Sequence, residues 1–309
     1  MTRKKIALLE GGWSGEREVS LKSGEAVYRA LDRQKYDVVR YDPRDDLVRL
    51  IEDRNKIDLA FILLHGKYGE DGSMQGFLDL LEIPYVGSGV LSSAMTFNKE
   101  IAKKMYHRVG LDVVQDLLLS REWEYSPDQI MEILGPSTVV KPASEGSSLG
   151  MSICHSRNEL RKGINLAFQY GSEVMIEQYI RGREVTCCVL GNRTLRTLPP
   201  IEIIPNPGYT FFDYGAKYTP GATQEICPAE LTKEETERVS VCAKKAHQAL
   251  KCRVWSRTDM IIQEDRIYIL ETNTIPGMTE TSLVPLSARS AGISLSQLLD
   301  ELIALSLED

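Results

Sequence analysis

Over its first ninety-odd residues the chain alternates short apolar runs with amphipathic segments of helical period, and no other feature constrains its fold more. KIALL (5–9), YDVVRYD (36–42), LAFILLHG (59–66) and PYVGSG (84–89) read as strands, with EVSLKSGEAVYRALDR (18–33) and SMQGFLDLLE (73–82) as helices between them. Strands joined by helical crossovers form a parallel sheet, and ligands of such a sheet sit beyond the carboxyl ends of its strands. The loops at those ends are GGWSGERE (11–18) and HGKYGEDG (65–72), both rich in Gly and charge.

From about Asn98 the pattern changes. A helix to Gly110, a strand VVQDLLL and a helix opened by Ser126-Pro127 lead to TVVKPASEGSSLGMSIC, read as strand, glycine loop, strand. SRNE (156–159) is a capping box opening a further helix, and the strand EVMIEQYI follows it. After Arg181 strands dominate: REVTCCVL, RTLRTLPPIEII, WSRTDMIIQ and RIYILET, with a helix capped by TKEE (232–235) and a closing helix LSQLLDELIAL. Between them the aromatic-rich stretch 206–224 has no periodicity, as expected of a functional lid.

With 37 basic against 44 acidic residues the net charge is −7, which argues against coating nucleic acid or an anionic membrane. No apolar run approaches a membrane span or signal-peptide core. The cysteines at 154, 187, 188, 227, 242 and 252 lack a framework spacing, which favours reduced, mostly buried thiols in a cytoplasmic protein.

Neither a P-loop nor a dinucleotide fingerprint is present. Gly146-Ser147-Ser148-Leu149-Gly150 matches the nucleophile elbow literally, but the elbow needs a helix after it, and here a strand follows. The alternative is a phosphate cradle, with backbone N–H groups, two hydroxyls and the charge of Lys141. Taken alone, the segment reads equally well as a polar hairpin with a lone lysine.

A second constellation lies in RTDMIIQEDRIYILETN (257–273). Glu271 and Asn273 share a strand face. A three-residue turn at 264–266 would set Asp259 opposite Glu271 and Arg257 opposite Asn273, whereas a two-residue turn would move Asp259 to the other face. Two carboxylates and an amide on one face suit Mg²⁺ with water and phosphate as its other ligands.

Together these segments resemble the ATP-grasp ligases, and within them the D-alanine–D-alanine ligases. GGWSGEREVSLKSG, HGKYGEDGSMQG, GSGVLSSAMTFNK, VVKPASEGSSLGMS, FFDYGAKY, SRTD and LETNTIPGMTETSLVP are similar to that family's motifs, in its order. The resemblance implies an α/β fold, with an N-terminal parallel-sheet domain (1–96) before a two-lobed ATP-grasp unit (97–180 and 181–309). Lys99, Lys141 and Lys217 would neutralise the ATP phosphates, with Ser147 and Ser148 donating. Glu177 would accept from the adenine amino group, Ile180 supply a backbone contact, and Glu184 take the ribose hydroxyls. Asp259, Glu271 and Asn273 would hold Mg²⁺, or Mn²⁺ in its place. Glu16 would grip the first substrate's ammonium, with Val19 and His65 lining its pocket. Arg257 and the Gly277 N–H would stabilise an oxyanion, and Ser282 and Leu283 receive the second carboxylate.

Tyr218, which in the family closes the lid onto the serine loop and Glu16, favours an amine as second nucleophile. The resemblance thus implies ligation of two D-alanines through an acyl phosphate, for peptidoglycan precursors, by a cytoplasmic homodimer. The alternatives are a sibling ligase for D-serine or D-lactate, and a non-catalytic nucleotide-binding module. Trp13, Trp255-Ser256 and Thr272 depart from the family pattern beside site residues without replacing any.

Overall fold

A computed structural model describes residues 3–146, 149–206 and 223–308. The first sheet has the order β2-β1-β3-β4, all parallel, from β1 (Lys4–Leu9), β2 (Tyr36–Tyr41), β3 (Leu59–Ile62) and β4 (Tyr85–Val86). Ile6, Ala7, Leu8 and Leu9 are fully buried, as a central parallel strand covered on both faces requires. The covering helices include α1 (Arg17–Ala30), α2 (Pro43–Asp53) and α3 (Ser73–Leu80). The sequence reading did not include α2, although Asp42 caps it by accepting from the Arg44 N–H and Pro43 opens it.

The helix expected from about Asn98 to Gly110 is α5 (Lys99–Arg108), preceded by α4 (Val90–Phe97), which the sequence reading did not include. Asn98 is extended and its side chain accepts from the Ile101 N–H, so one residue ends the first helix and caps the second. The strand expected at 113–119 is two. β5 (Asp112–Val113) and β6 (Asp116–Ser120) join different sheets, because the chain crosses between lobes there.

The central sheet, β6-β9-β7-β8, comprises β6, β7 (Thr138–Pro142), β8 (Ser152–Cys154) and β9 (Glu173–Gln178), antiparallel throughout. Helices α6 (Pro127–Leu134) and α7 (Arg157–Ala167) pack on it around a core of their own that includes Ile130, Leu160, Ile164 and Ile176.

The largest sheet runs β13-β12-β10-β14-β15-β5, with β11 (Arg196–Thr197) paired to β10. Its members are β10 (Arg183–Leu190), β12 (Ile201–Pro205), β13 (Thr223–Ile226), β14 (Trp255–Gln263) and β15 (Arg266–Asn273). Helix α8 (Lys233–Ala249) opens with the full capping box expected at TKEE, and α9 (Leu283–Ser290) and α10 (Leu295–Ser306) end the chain.

Alternation along β10 places Cys187 and Cys188 in different cores. Cys188 shares a cluster with Ile6, Leu8, Trp255 and Leu298, so the N-terminal sheet and the last third of the chain are packed as one body. Helix α5 packs with the large sheet, through Ala102 and Tyr106 against Met260 and Ile269. No helix among the described residues is long and apolar enough to cross a membrane.

Candidate active site

The loops after β1 and β3 are tied together by Ser20, whose Oγ accepts from the Gly11 N–H at 2.8 Å and donates to the Leu63 carbonyl at 2.7 Å. Glu16, just before α1, is 5% exposed, and Val19 lies one turn on, also buried. His65 follows β3. Burial pushes its pKa below the ordinary imidazole value despite the pull of Glu16, so the ring is neutral near pH 7. The ring bonds to the Ile275 backbone, while buried Nε2 has no hydrogen-bond partner among the described residues. A buried polar atom without a partner is costly unless a ligand meets it.

Glu70 belongs to the same cluster and was missed from sequence, although HGKYGEDG contains it. It accepts from the Gly66 N–H at 2.7 Å. Burial, and then the neighbouring Glu16, push its pKa well above the usual carboxylate range. Trp13 meets Tyr68 edge-on at 5.5 Å between ring centroids, joining the two loops at their outer side.

Across from these loops, β7 and β8 form the hairpin expected for VVKPASEGSSLGMSIC, and the absence of a following helix removes the nucleophile elbow. Ser147 and Ser148 lie outside the described residues, as do Lys217 and Tyr218. The loop's first glycine is close to the substrate side: a Cβ built on Gly146 would meet Glu16 Oε2 at 2.7 Å and Glu70 Oε2 at 3.7 Å.

Between the central and large sheets lies a cavity of about 520 Å³. Lys99, Lys141, Glu177, Ile180, Glu184, Asp259 and Glu271 all line it. Lys99 donates to the Glu145 carbonyl at 2.5 Å, and Lys141 pairs with Glu177 at 2.7 Å. The other oxygen of Glu177 takes Lys103 at 2.8 Å. Burial alone would raise the Glu177 pKa, but Lys141 and Lys103 outweigh it and hold the carboxyl down at about 2.

On the cavity's other wall, Asp259 pairs with Glu271 across β14 and β15, and beside them Arg257 pairs with Asn273. The turn corrects the expectation. It has two residues, with Gln263 opposite Arg266, and a bulge then inserts Leu270 between Ile269 and Glu271. The extra residue shifts the pairing back, so the predicted partners meet although the predicted turn is absent.

Arg257 forks onto Asp259, Nε to Oδ1 at 2.9 Å and Nη2 to Oδ2 at 2.8 Å. Burial works against its charge, yet Asp259 more than compensates and raises its pKa. Thr186, also missed from sequence, donates to Asp259 at 2.5 Å. Two carboxylates and an amide on one strand-borne face fit Mg²⁺, which takes its remaining ligands from water and phosphate. Such a site has too few protein ligands to stand alone, and no group of three His, Cys, Asp or Glu that could hold a metal occurs among the described residues.

Ser282 sits at the N-terminus of α9 with Leu283 as its first residue, and its Oγ accepts from the Thr279 N–H at 3.0 Å. A Cβ on Gly277 would come within 2.9 Å of that Oγ, so the chain at Gly277 passes directly beside it. A helix N-terminus with a hydroxyl beside it can receive a carboxylate.

A family model described as D-ala D-ala ligase C-terminus matches residues 105–304, and one described as D-ala D-ala ligase N-terminus matches 42–88. The D-alanine–D-alanine ligase of Syntrophobacter fumaroxidans is 55% identical over 304 residues, covering 98% of each chain. Among solved structures, the D-alanine–D-alanine ligase of Bacillus anthracis complexed with ATP matches with a TM-score of 0.84 at 37% identity, over 98% of this chain and 97% of that one. The VanG D-Ala:D-Ser ligase of Enterococcus faecalis matches with a TM-score of 0.84 at 33% identity, over 99% of this chain and 100% of that one.

Proposed function

The chain belongs to the D-alanine–D-alanine ligase family of the ATP-grasp superfamily, and on that footing we propose how its residues divide the work. Its activity is the ATP-dependent joining of two D-alanines, which serves peptidoglycan synthesis. An amine cannot displace oxide from a carboxylate, so the acid is activated first. A carboxylate oxygen of the first D-alanine attacks the γ-phosphorus and ADP leaves. The amine of the second then attacks the acyl phosphate carbonyl, loses a proton, and inorganic phosphate departs.

Lys99, Lys141 and Lys217 neutralise the ATP phosphates, and Ser147 and Ser148 donate to them. Glu177 and Ile180 meet the adenine, and Glu184 the ribose. Glu16 holds the first ammonium beside Val19 and His65. Arg257 and the Gly277 N–H take the developing oxyanion, and Ser282 and Leu283 the second carboxylate. Tyr218 closes the lid. Asp259, Glu271 and Asn273 would hold Mg²⁺, or Mn²⁺, which supplies positive charge to the phosphate oxygens. Catalysis of this kind is positioning plus stabilisation of negative charge.

The observation that carries this reading is that Lys141, Asp259 and Glu271 face one cavity, while Gly146 brings the loop beside it against Glu16. The test is phosphate release from ATP with and without D-alanine, coupled to detection of the dipeptide. Release that ignores D-alanine, or a missing dipeptide, would overturn the reading. D-Serine and D-lactate as competing second substrates settle selectivity. The family likeness also supports the division at 96 and 180, a cytoplasmic location and a homodimer, the last checked by sedimentation.

A further inference from the structure

One face of helix α5 contacts three segments that border the nucleotide cavity: the loop after β7, the central sheet and β15. Lys99, Lys103 and Tyr106 are four and three residues apart, which stacks them on the same side of a helix. At the first, the Lys99 N–H donates to the Ala143 carbonyl at 2.9 Å and its ammonium to the Glu145 carbonyl, which fixes the helix to the loop after β7. At the second, Lys103 enters the central sheet. Its three ammonium hydrogens meet three acceptors: Glu177 at 2.8 Å, Asp116 at 2.7 Å and the Val114 carbonyl at 2.6 Å. Lys103 thereby holds the carboxylate that in turn holds Lys141.

At the third, fully buried Tyr106 donates to Thr272 Oγ1 at 2.8 Å, and Thr272 lies 3.0 Å from Thr258 Oγ1 on the facing strand. Thr272 stands between Glu271 and Asn273 and points to the opposite side of β15. The bulge at Leu270 interrupts the ladder immediately before Glu271, so the strand is least constrained where its carboxylate must be aimed. Three buried hydroxyls in a cluster that is otherwise apolar cost desolvation, and an apolar trio would fill the space.

We propose that α5 is a strut that keeps the phosphate lysines and the β15 carboxylates in register, with Lys103 and Tyr106 as positioning residues that act through Glu177 and Thr272. This rests on the reading of the cavity as the ATP site. Neither residue lines the cavity: Lys103 fixes Glu177, which does, and Tyr106 fixes Thr272, the neighbour of Glu271 in β15.

The test is binding of ADP with Mg²⁺ by calorimetry, beside thermal melting, for the wild type, Tyr106→Phe, Thr272→Val and the double variant. Tyr106→Phe keeps the ring and removes one hydroxyl. It is expected to melt close to wild type yet bind about three- to tenfold more weakly, the scale of one hydrogen bond. The double variant should be no weaker than the worse single one. Lys103→Met, read in the same way, should weaken binding while Glu177 stays paired with Lys141. Wild-type affinity in Tyr106→Phe, whatever its melting temperature, overturns the strut. A wild type that binds no ADP overturns the ATP site itself, and the strut with it.

Discussion

Asp259 stands directly across from Glu271, although the two-residue turn between their strands sets a register that would pair it with Leu270. One inserted residue resolves the conflict. Before the bulge Ile267 and Ile269 face the core, and after it Thr272 does, so the alternation changes phase at Leu270. Leu270 and Glu271 consequently both line the cavity between the sheets, one with hydrocarbon and one with charge.

Leu270 should therefore matter to nucleotide binding. Leu270→Ala is expected to raise the KM for ATP by about tenfold, the value of roughly 60 Å² of lost apolar contact, with kcat little changed. Steady-state kinetics at saturating D-alanine measure this. A fall in kcat with KM intact would place Leu270 elsewhere in the mechanism.

Arg257 forks onto Asp259, which lines the cavity, so its charge and its geometry can be separated. Arg257→Ala should bind ATP but lose about 10²-fold or more in turnover, the scale of a lost oxyanion donor. Arg257→Lys keeps the charge without the planar fork and should recover only part of that loss. Full turnover in Arg257→Ala would remove it from the oxyanion role.

The pH dependence of stability should show Glu177. Its pKa lies at about 2 in the fold against the ordinary 4.5, so the stabilisation is present above pH 4.5 and is lost as pH falls toward 2. Across that window the loss is roughly 3 kcal/mol. Glu177→Gln leaves two buried lysines without their shared carboxylate and should cost about 3–5 kcal/mol at pH 7. The gap between the variant and the wild type should narrow on acidification, as denaturant unfolding from pH 7 to pH 2.5 would reveal. A constant gap would mean that the carboxyl is not ionised in the fold.

Gly69 passes so close to the chain just after β3 that a Cβ there would lie 2.4 Å from the Leu64 carbonyl oxygen. Backbone cannot yield as a side-chain tip can. Gly69→Ala should destabilise by about 1–3 kcal/mol and displace the loop that holds His65 and Glu70. A raised KM for D-alanine, with the KM for ATP unchanged, is the kinetic signature expected. An unchanged melting temperature would show that the loop has room to move.

Much of this protein is local and was legible in the chain. The parallel sheet followed from four apolar runs separated by helices, the hairpin 138–154 from its flanking strands, and the shared face of Glu271 and Asn273 from alternation alone. These are statements about neighbours in sequence, where side-chain period and turn chemistry act directly. The turn and bulge of β14 and β15, the split of the strand at 113–119 and the raised pKa of Glu70 were not legible. Each depends on what lies across space: pairing energy over a whole hairpin, the sheet that accepts an edge, or the water and charge removed from around a carboxyl. The same limit explains Lys103, which in sequence is one lysine among several. Only packing shows it buried, with every donor used, behind the residue that sets Lys141. Alternation determined which side chains could share a face; burial and long-range pairing decided which of them carry charge at the site.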